Sequence, residues 1–227
     1  MRNRFGLAVL LGIATFAMTV WLGAIGPRQM AHPAPGDGRS PVIAFEMVSS
    51  VDQLAPVIGE NRAGYVALRD AMDKVNRIDF LYMATYGLFI AAFFWAVAQA
   101  KGDRRWLIAS ALGIVAALGD VRENIALLAL TQDGADAASN IHALVIATWT
   151  KWFALGLTSA LAAHAMFTTP ETPILRYVGA VAGAIALAFT VAAYFDQVGY
   201  PQLMALGIFL TWLMQGIYAF RRSRAAA

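Results

Sequence analysis

Six apolar stretches, each close to the ~20 residues that a helix needs to cross a ~30 Å hydrocarbon core, constrain this chain more than any other feature. They run over roughly 5–26, 78–100, 106–130, 141–167, 174–195 and 202–220. Inside a bilayer no water satisfies backbone N–H and C=O groups, so such stretches fold as helices. The sequence therefore predicts an all-α, polytopic membrane helix bundle, one domain over 1–227 with six transmembrane helices. Only 14% of the residues are charged, against about 25% in soluble domains, which excludes an ordinary cytosolic enzyme. The connections punctuate the spans: Gly26-Pro27, Lys101-Gly102-Asp103, Asp133-Gly134, Thr168-Thr169-Pro170 and Gly199-Tyr200-Pro201.

Basic residues orient the spans. Arg2, Arg4, Lys101, Arg104, Arg105, Arg176, Arg221, Arg222 and Arg224 all fall on one side of a six-span topology. The short connections on the other side, 131–140 and 196–201, hold no Lys or Arg. The positive-inside rule then places both termini in the cytoplasm. The long connection 27–77 is balanced, with six basic and six acidic residues, and lies outside. A cleaved signal peptide over 1–32 is the competing reading of the first span. Its apolar run, near 22 residues, exceeds the roughly 7–15 of a signal core, so the span is expected to remain.

Within 27–77 the chain starts loop-like. Ser50-Val51-Asp52-Gln53 then forms a capping-box pattern, with Gln53 reaching back to Ser50, and the short helix it opens should end at Gly59. From Asn61 to Lys101 little breaks a helix, so the second span should project outward. Arg62, Arg69, Asp70, Asp73, Lys74 and Arg77 would make that projection amphipathic.

Ionisable groups inside a span are costly and mark candidate sites. Here they are Asp79, Asp120, Glu123 and Lys151, with Asn124 beside them. A rise of ~1.5 Å per residue puts Asp120 about 21 Å in from the cytoplasmic end of its span and Lys151 about 15 Å in from the outer end of the next. The two helices run antiparallel and side chains lean toward their own N-termini, so these groups lean together. Asp120, Glu123 and Asn124 share one face; Lys151 shares its face with Thr148; Asp79 shares its face with Tyr82 and Tyr86. Glu46 arrives inside the apolar stretch Val42 to Val48 and should fold over the outer mouth. The plain alternative is a structural ion pair of Lys151 with Asp120 or Glu123 that fixes helix register.

At these residues the chain resembles a group of short, uncharacterised bacterial integral membrane proteins. The motifs are Phe45-Glu46, Asp79-Phe80-Leu81 with Tyr86-Gly87, Asp120-x-x-Glu123-Asn124 and Lys151-Trp152, within about 41–155. The resemblance implies that Glu46, Asp79, Asp120, Glu123, Asn124 and Lys151 belong to one site. It supplies no activity.

Other chemistries are poorly supported. Zero Cys excludes disulfides and thiolate metal sites. His142 and His164 lie about 33 Å apart on one helix, and His32 sits in a Pro-rich loop, so no histidine metal centre or shared haem is expected and no cofactor is assigned. A carboxylate-only Ca²⁺ or Mg²⁺ site would have Lys151 in its way. Gly179 and Gly183 make a small-residue face in the fifth span, suited to intramolecular packing, to a second copy or to a larger membrane complex. A net charge of +3 follows topology, and no nucleic-acid partner is implied. Three function classes remain: binding of a small polar or amphiphilic ligand, an accessory subunit of a membrane complex, and a membrane enzyme acting on a lipid headgroup.

Overall fold

The computed structural model describes residues 4–169 and 173–225. Arg2 and Pro170, read above as a cytoplasmic charge and a turn residue, lie outside them. Eight α-helices follow in order: α1 Gly6–Ile25, α2 Pro41–Glu46, α3 Leu54–Ile58, α4 Val66–Lys101, α5 Trp106–Leu130, α6 Ala137–Phe167, α7 Pro173–Phe195 and α8 Pro201–Ala225. A single 3₁₀ turn, Val51–Gln53, precedes α3. No strand occurs among the described residues.

Five of the helices, α1, α4, α6, α7 and α8, are long and apolar enough to cross a membrane, the build of a multi-pass helical membrane protein. The 25 residues of α5 match them in length, but every 18-residue stretch of it contains Asp120, Arg122 and Glu123. The six long helices form a ring in chain order, α4 on α5, α5 on α6, α6 on α7 and α7 on α8. Packing of α1 against both α4 and α8 closes it, and α6 also meets α8 across the interior. The outer surface of the ring is apolar: Leu10, Ile108, Leu118, Ile146 and Ile174 are all well exposed.

Helix ends follow local chemistry. The helix α6 starts at Ala137, four residues before the apolar run, because the Asp136 carboxylate accepts the Ser139 N–H at 3.1 Å and caps it. Pro201 opens α8 at a position that needs no amide hydrogen. At 36 residues α4 is about 54 Å long, nearly twice the hydrocarbon thickness. It begins at Val66 rather than Asn61, since the Asn61 side chain accepts the Gly64 N–H at 2.8 Å and holds a turn there.

The outer segment is a second small core on top of the ring. Phe45, Val48, Val57 and Ile58 pack with Met72 of α4, Leu127 and Leu130 of α5 and Leu144 of α6, each below 5% exposed. A helix not expected from the sequence, α2, drives this: the Ser40 hydroxyl accepts the Ile43 N–H at 3.3 Å and Pro41 fills the first turn. The capping box is displaced by one residue. Gln53 Oε1 accepts the Ser49 N–H at 2.8 Å, and Ser50 makes no side-chain cap, because the first turn is 3₁₀ and tighter than an α turn. Gly59 does end α3, at φ 79°, and a Cβ there would strike the Tyr65 ring.

Arg69 latches this cap. Although read above as part of a solvated face, it is only 4% exposed. Its guanidinium donates to the carbonyls of Ile58 (3.1 Å), Gly59 (2.9 Å) and Thr131 (3.0 Å) and to Asp133 (3.0 Å). Arg62 pairs with Asp70 and Asp73 beside it. The end of α3, the start of α4 and the α5–α6 turn are thereby tied together.

Candidate functional site

Close helix approach brings the buried charges together. A Cβ on Gly119 would stand 3.1 Å from the Lys151 backbone N, and one on Gly87 would crowd Ala117 at 2.7 Å, so α4, α5 and α6 meet where the polar stripes lie. Lys151, 4% exposed, then points its ammonium at three carboxylates: Glu123 Oε2 at 2.6 Å, Glu46 Oε2 at 3.0 Å and Asp120 Oδ1 at 3.3 Å. The Glu46 contact is a hydrogen bond, and those to Asp120 and Glu123 are ion pairs. Its Nζ also lies 4.6 Å from the Trp152 ring centroid.

The carboxylates differ in how they are held. Asp120 Oδ2 accepts the Tyr86 hydroxyl at 2.7 Å, a link from α4 to α5. Glu123 is fully buried, and neither of its carboxylate oxygens has a hydrogen-bond partner among the described residues, so the Lys151 ion pair alone meets its charge. Glu46 reaches in from the end of α2, where the Thr148 hydroxyl donates to its backbone carbonyl at 3.3 Å. Burial pushes the Glu46 carboxyl above its ordinary value of 4.5, while the Lys151 ammonium pulls the other way. Asp79 stands one step outward: its Oδ2 accepts from Asn124 Nδ2 at 2.9 Å, and the same amide donates to the Asn76 carbonyl at 2.9 Å. Tyr82 accepts from the Thr19 hydroxyl at 3.1 Å, which fastens α1 to α4. All nine residues singled out from the sequence thus lie in one connected region on α2, α4, α5 and α6.

Two cavities open onto it. The inner one, of about 420 Å³, is bordered by Asp79, Asp120, Lys151, Tyr86, Trp152 and Trp212. The outer one, of about 570 Å³, is bordered by Arg28, Arg39, Asn76 and the start of α2. They share Thr19, Glu46, Asp79, Tyr82 and Gln202 as a common border, so they adjoin between the outer segment and Lys151. Glu123, Asn124 and Thr148 lie behind this wall and border neither cavity.

Sequence reasoning missed several wall residues. Trp212 stacks on Tyr86 at 5.3 Å, but an aromatic in an apolar span carries no signal of facing a cavity. Thr19 and Gln202 are polar positions at the outer ends of α1 and α8, and that was their only mark. Arg28 and Arg39 sat in a stretch read as loop. The histidines are elsewhere: His32 bonds Glu60 and Tyr65 at the surface, His142 faces outward and His164 stacks on Trp106. Among the described residues no group of three or more His, Asp or Glu is placed to hold a metal ion. The carboxylates converge on an ammonium instead. The small-residue face of α7 packs within the chain, Gly179 against Met166 and Gly183 against Ser159 and Ala163 of α6.

No protein-family model, no curated protein and no solved structure matches the chain. The geometry above therefore carries the functional reading.

Proposed function

We propose that this chain is a small integral protein of the bacterial cytoplasmic membrane whose outward-facing acidic pocket binds a small polar or amphiphilic, lipid-like ligand. One observation carries the reading. Two adjoining cavities lead from the outer segment to a cluster in which three carboxylates face one ammonium, and a fourth, Asp79, borders both cavities. A register-fixing ion pair needs one acid. Like charges gathered at low dielectric cost stability unless the site uses them.

Six spans with both termini in the cytoplasm complete the proposal. The charges that disqualify α5 on hydropathy support this: Asp120 and Glu123 turn inward to Lys151, and only Arg122 is exposed. A span whose acids face the bundle interior presents lipid with an apolar surface. The basic residues of the short connections and the termini, Lys101, Arg104, Arg105, Arg176, Arg221, Arg222 and Arg224 among them, then lie on the side opposite the cavity mouth, as the positive-inside rule requires of short segments. The four motifs support placing the chain with the short bacterial membrane proteins that it resembles.

The test is to purify the protein in a mild uncharged detergent and identify what it retains by mass spectrometry. The expected result is one amphiphile at near one per chain, lost from the double variant Glu46→Gln, Asp79→Asn. A stoichiometric protein partner with no small molecule would contradict the reading and favour an accessory subunit.

A further inference from the structure

Charge is unevenly satisfied along the double cavity. The charge of Lys151 is met by Glu46, Asp120 and Glu123, all within ion-pair distance. Asp79, which borders both cavities, has the Asn124 amide but no cationic partner within ion-pair distance among the described residues. Rings flank it: Tyr82 and Tyr86 meet edge to face at 5.4 Å, and Trp212 stacks on Tyr86. A carboxylate beside aromatic faces is a receptor for an organic ammonium group.

The outer cavity has the opposite need. Arg39 is spent on Asp37 at 2.6 Å, but Arg28 has a long 3.4 Å hydrogen bond to the Ala24 carbonyl and no carboxylate within ion-pair distance among the described residues. Asn76 is 3% exposed, borders this cavity and has an amide nitrogen, Nδ2, with no hydrogen-bond partner among the described residues. A buried donor left unpaired costs free energy until an acceptor arrives. Two donors therefore await an anion outside, and one acid awaits a cation inside.

The wall between α1 and α8 is incomplete in its outer half. Leu206 borders the inner cavity yet is 50% exposed, and a Cβ on Gly23 of α1 would meet nothing within 4 Å. Deeper, Phe16 and Phe209 meet at 5.6 Å and shut the same seam. A chain leaving the cavity at Leu206 would enter the membrane directly.

We infer that the double cavity receives an aminophospholipid headgroup, its ammonium on Asp79, its phosphate on Arg28 and Asn76, and its acyl chains passing out between α1 and α8. This rests on the ligand-binding reading above and names the ligand class. Free phosphoethanolamine offers the same headgroup chemistry without the tail.

The experiment titrates the protein in an uncharged detergent with dioctanoyl phosphatidylethanolamine, dioctanoyl phosphatidic acid and O-phosphoethanolamine, following the fluorescence of Trp152 and Trp212. Phosphatidylethanolamine should bind about tenfold or more tighter than phosphatidic acid, since a charge-assisted hydrogen bond to Asp79 is at stake. Asp79→Asn should erase that preference, and Arg28→Gln, an exposed position tolerant of change, should weaken both lipids alike. Equal affinity for the two lipids in the wild type overturns the inference whatever the variants do. If phosphatidic acid nevertheless binds in the cavity, the ligand-binding reading survives. If no amphiphile binds, that reading fails as well. Free phosphoethanolamine matching the lipid would overturn the tail path and assign the pocket to a soluble headgroup compound.

Discussion

Lys151 decides the interior of this molecule. Three carboxylates sit within 3.3 Å of its ammonium, and removing one partner of a buried pair costs roughly 3–5 kcal/mol in soluble proteins. Lys151→Met should therefore lower the melting temperature strongly, and adding Glu123→Gln should restore part of the loss, because the most buried acid no longer carries charge. Equal melting of single and double variants would contradict the arrangement. Glu46 makes a pH-dependent contribution of known sign. Its folded carboxyl binds a proton more tightly than the ordinary value of 4.5, so the stability it provides is greatest in acid and is lost as pH rises through the folded value. The melting temperature of Glu46→Gln relative to wild type should accordingly rise between about pH 4 and pH 8; a constant difference would show that Glu46 is solvated. These acids and the lysine were legible in the sequence because charge inside a span is expensive. Trp212, Thr19 and Gln202 were not, because one aromatic or hydroxyl in an apolar helix does not declare which way it faces.

At the scale of elements, the long helices follow from apolar length alone, whereas the outer cap depends on individual polar contacts. The sequence carried a marker of α2 in Ser40-Pro41, an N-cap residue followed by proline at the first helical position. Arg69 misled, since a charged residue at helical spacing reads as solvated until the carbonyls of Ile58, Gly59 and Thr131 are found around it. Gly59 is the sharpest test of the cap. A left-handed φ of 79° and the adjacent Tyr65 ring leave no room for a side chain, and Gly59→Ala should cost roughly 1–3 kcal/mol. The loss should be local: hydrogen exchange should speed up over residues 41–58 and stay slow in α6. Unchanged protection over 41–58 would mean that the cap does not hinge on this turn.

At the scale of the whole molecule, ring closure by α1 and α8 was not legible, because helices apolar on every face carry no contrast between lipid and interior. The distribution of basic residues predicts a sidedness, and the Cys-free chain allows it to be probed one thiol at a time. A Cys at position 135, in the α5–α6 turn, should react with a membrane-impermeant reagent from outside only; labelling from the cytoplasm alone would invert the topology. The most direct test of the acidic, outward-opening cavity places the thiol inside it. Ala205 borders the inner cavity, and Ala205→Cys can be treated in sealed, right-side-out vesicles with trimethylammonium-ethyl and sulfonatoethyl methanethiosulfonates of similar size. The account predicts reaction from the outer face, with the cationic reagent about tenfold or more faster than the anionic one, because the charged residues that border the inner cavity are three acids, Glu46, Asp79 and Asp120, and one base, Lys151. Faster reaction of the anionic reagent, or reaction from the cytoplasmic face alone, would contradict it.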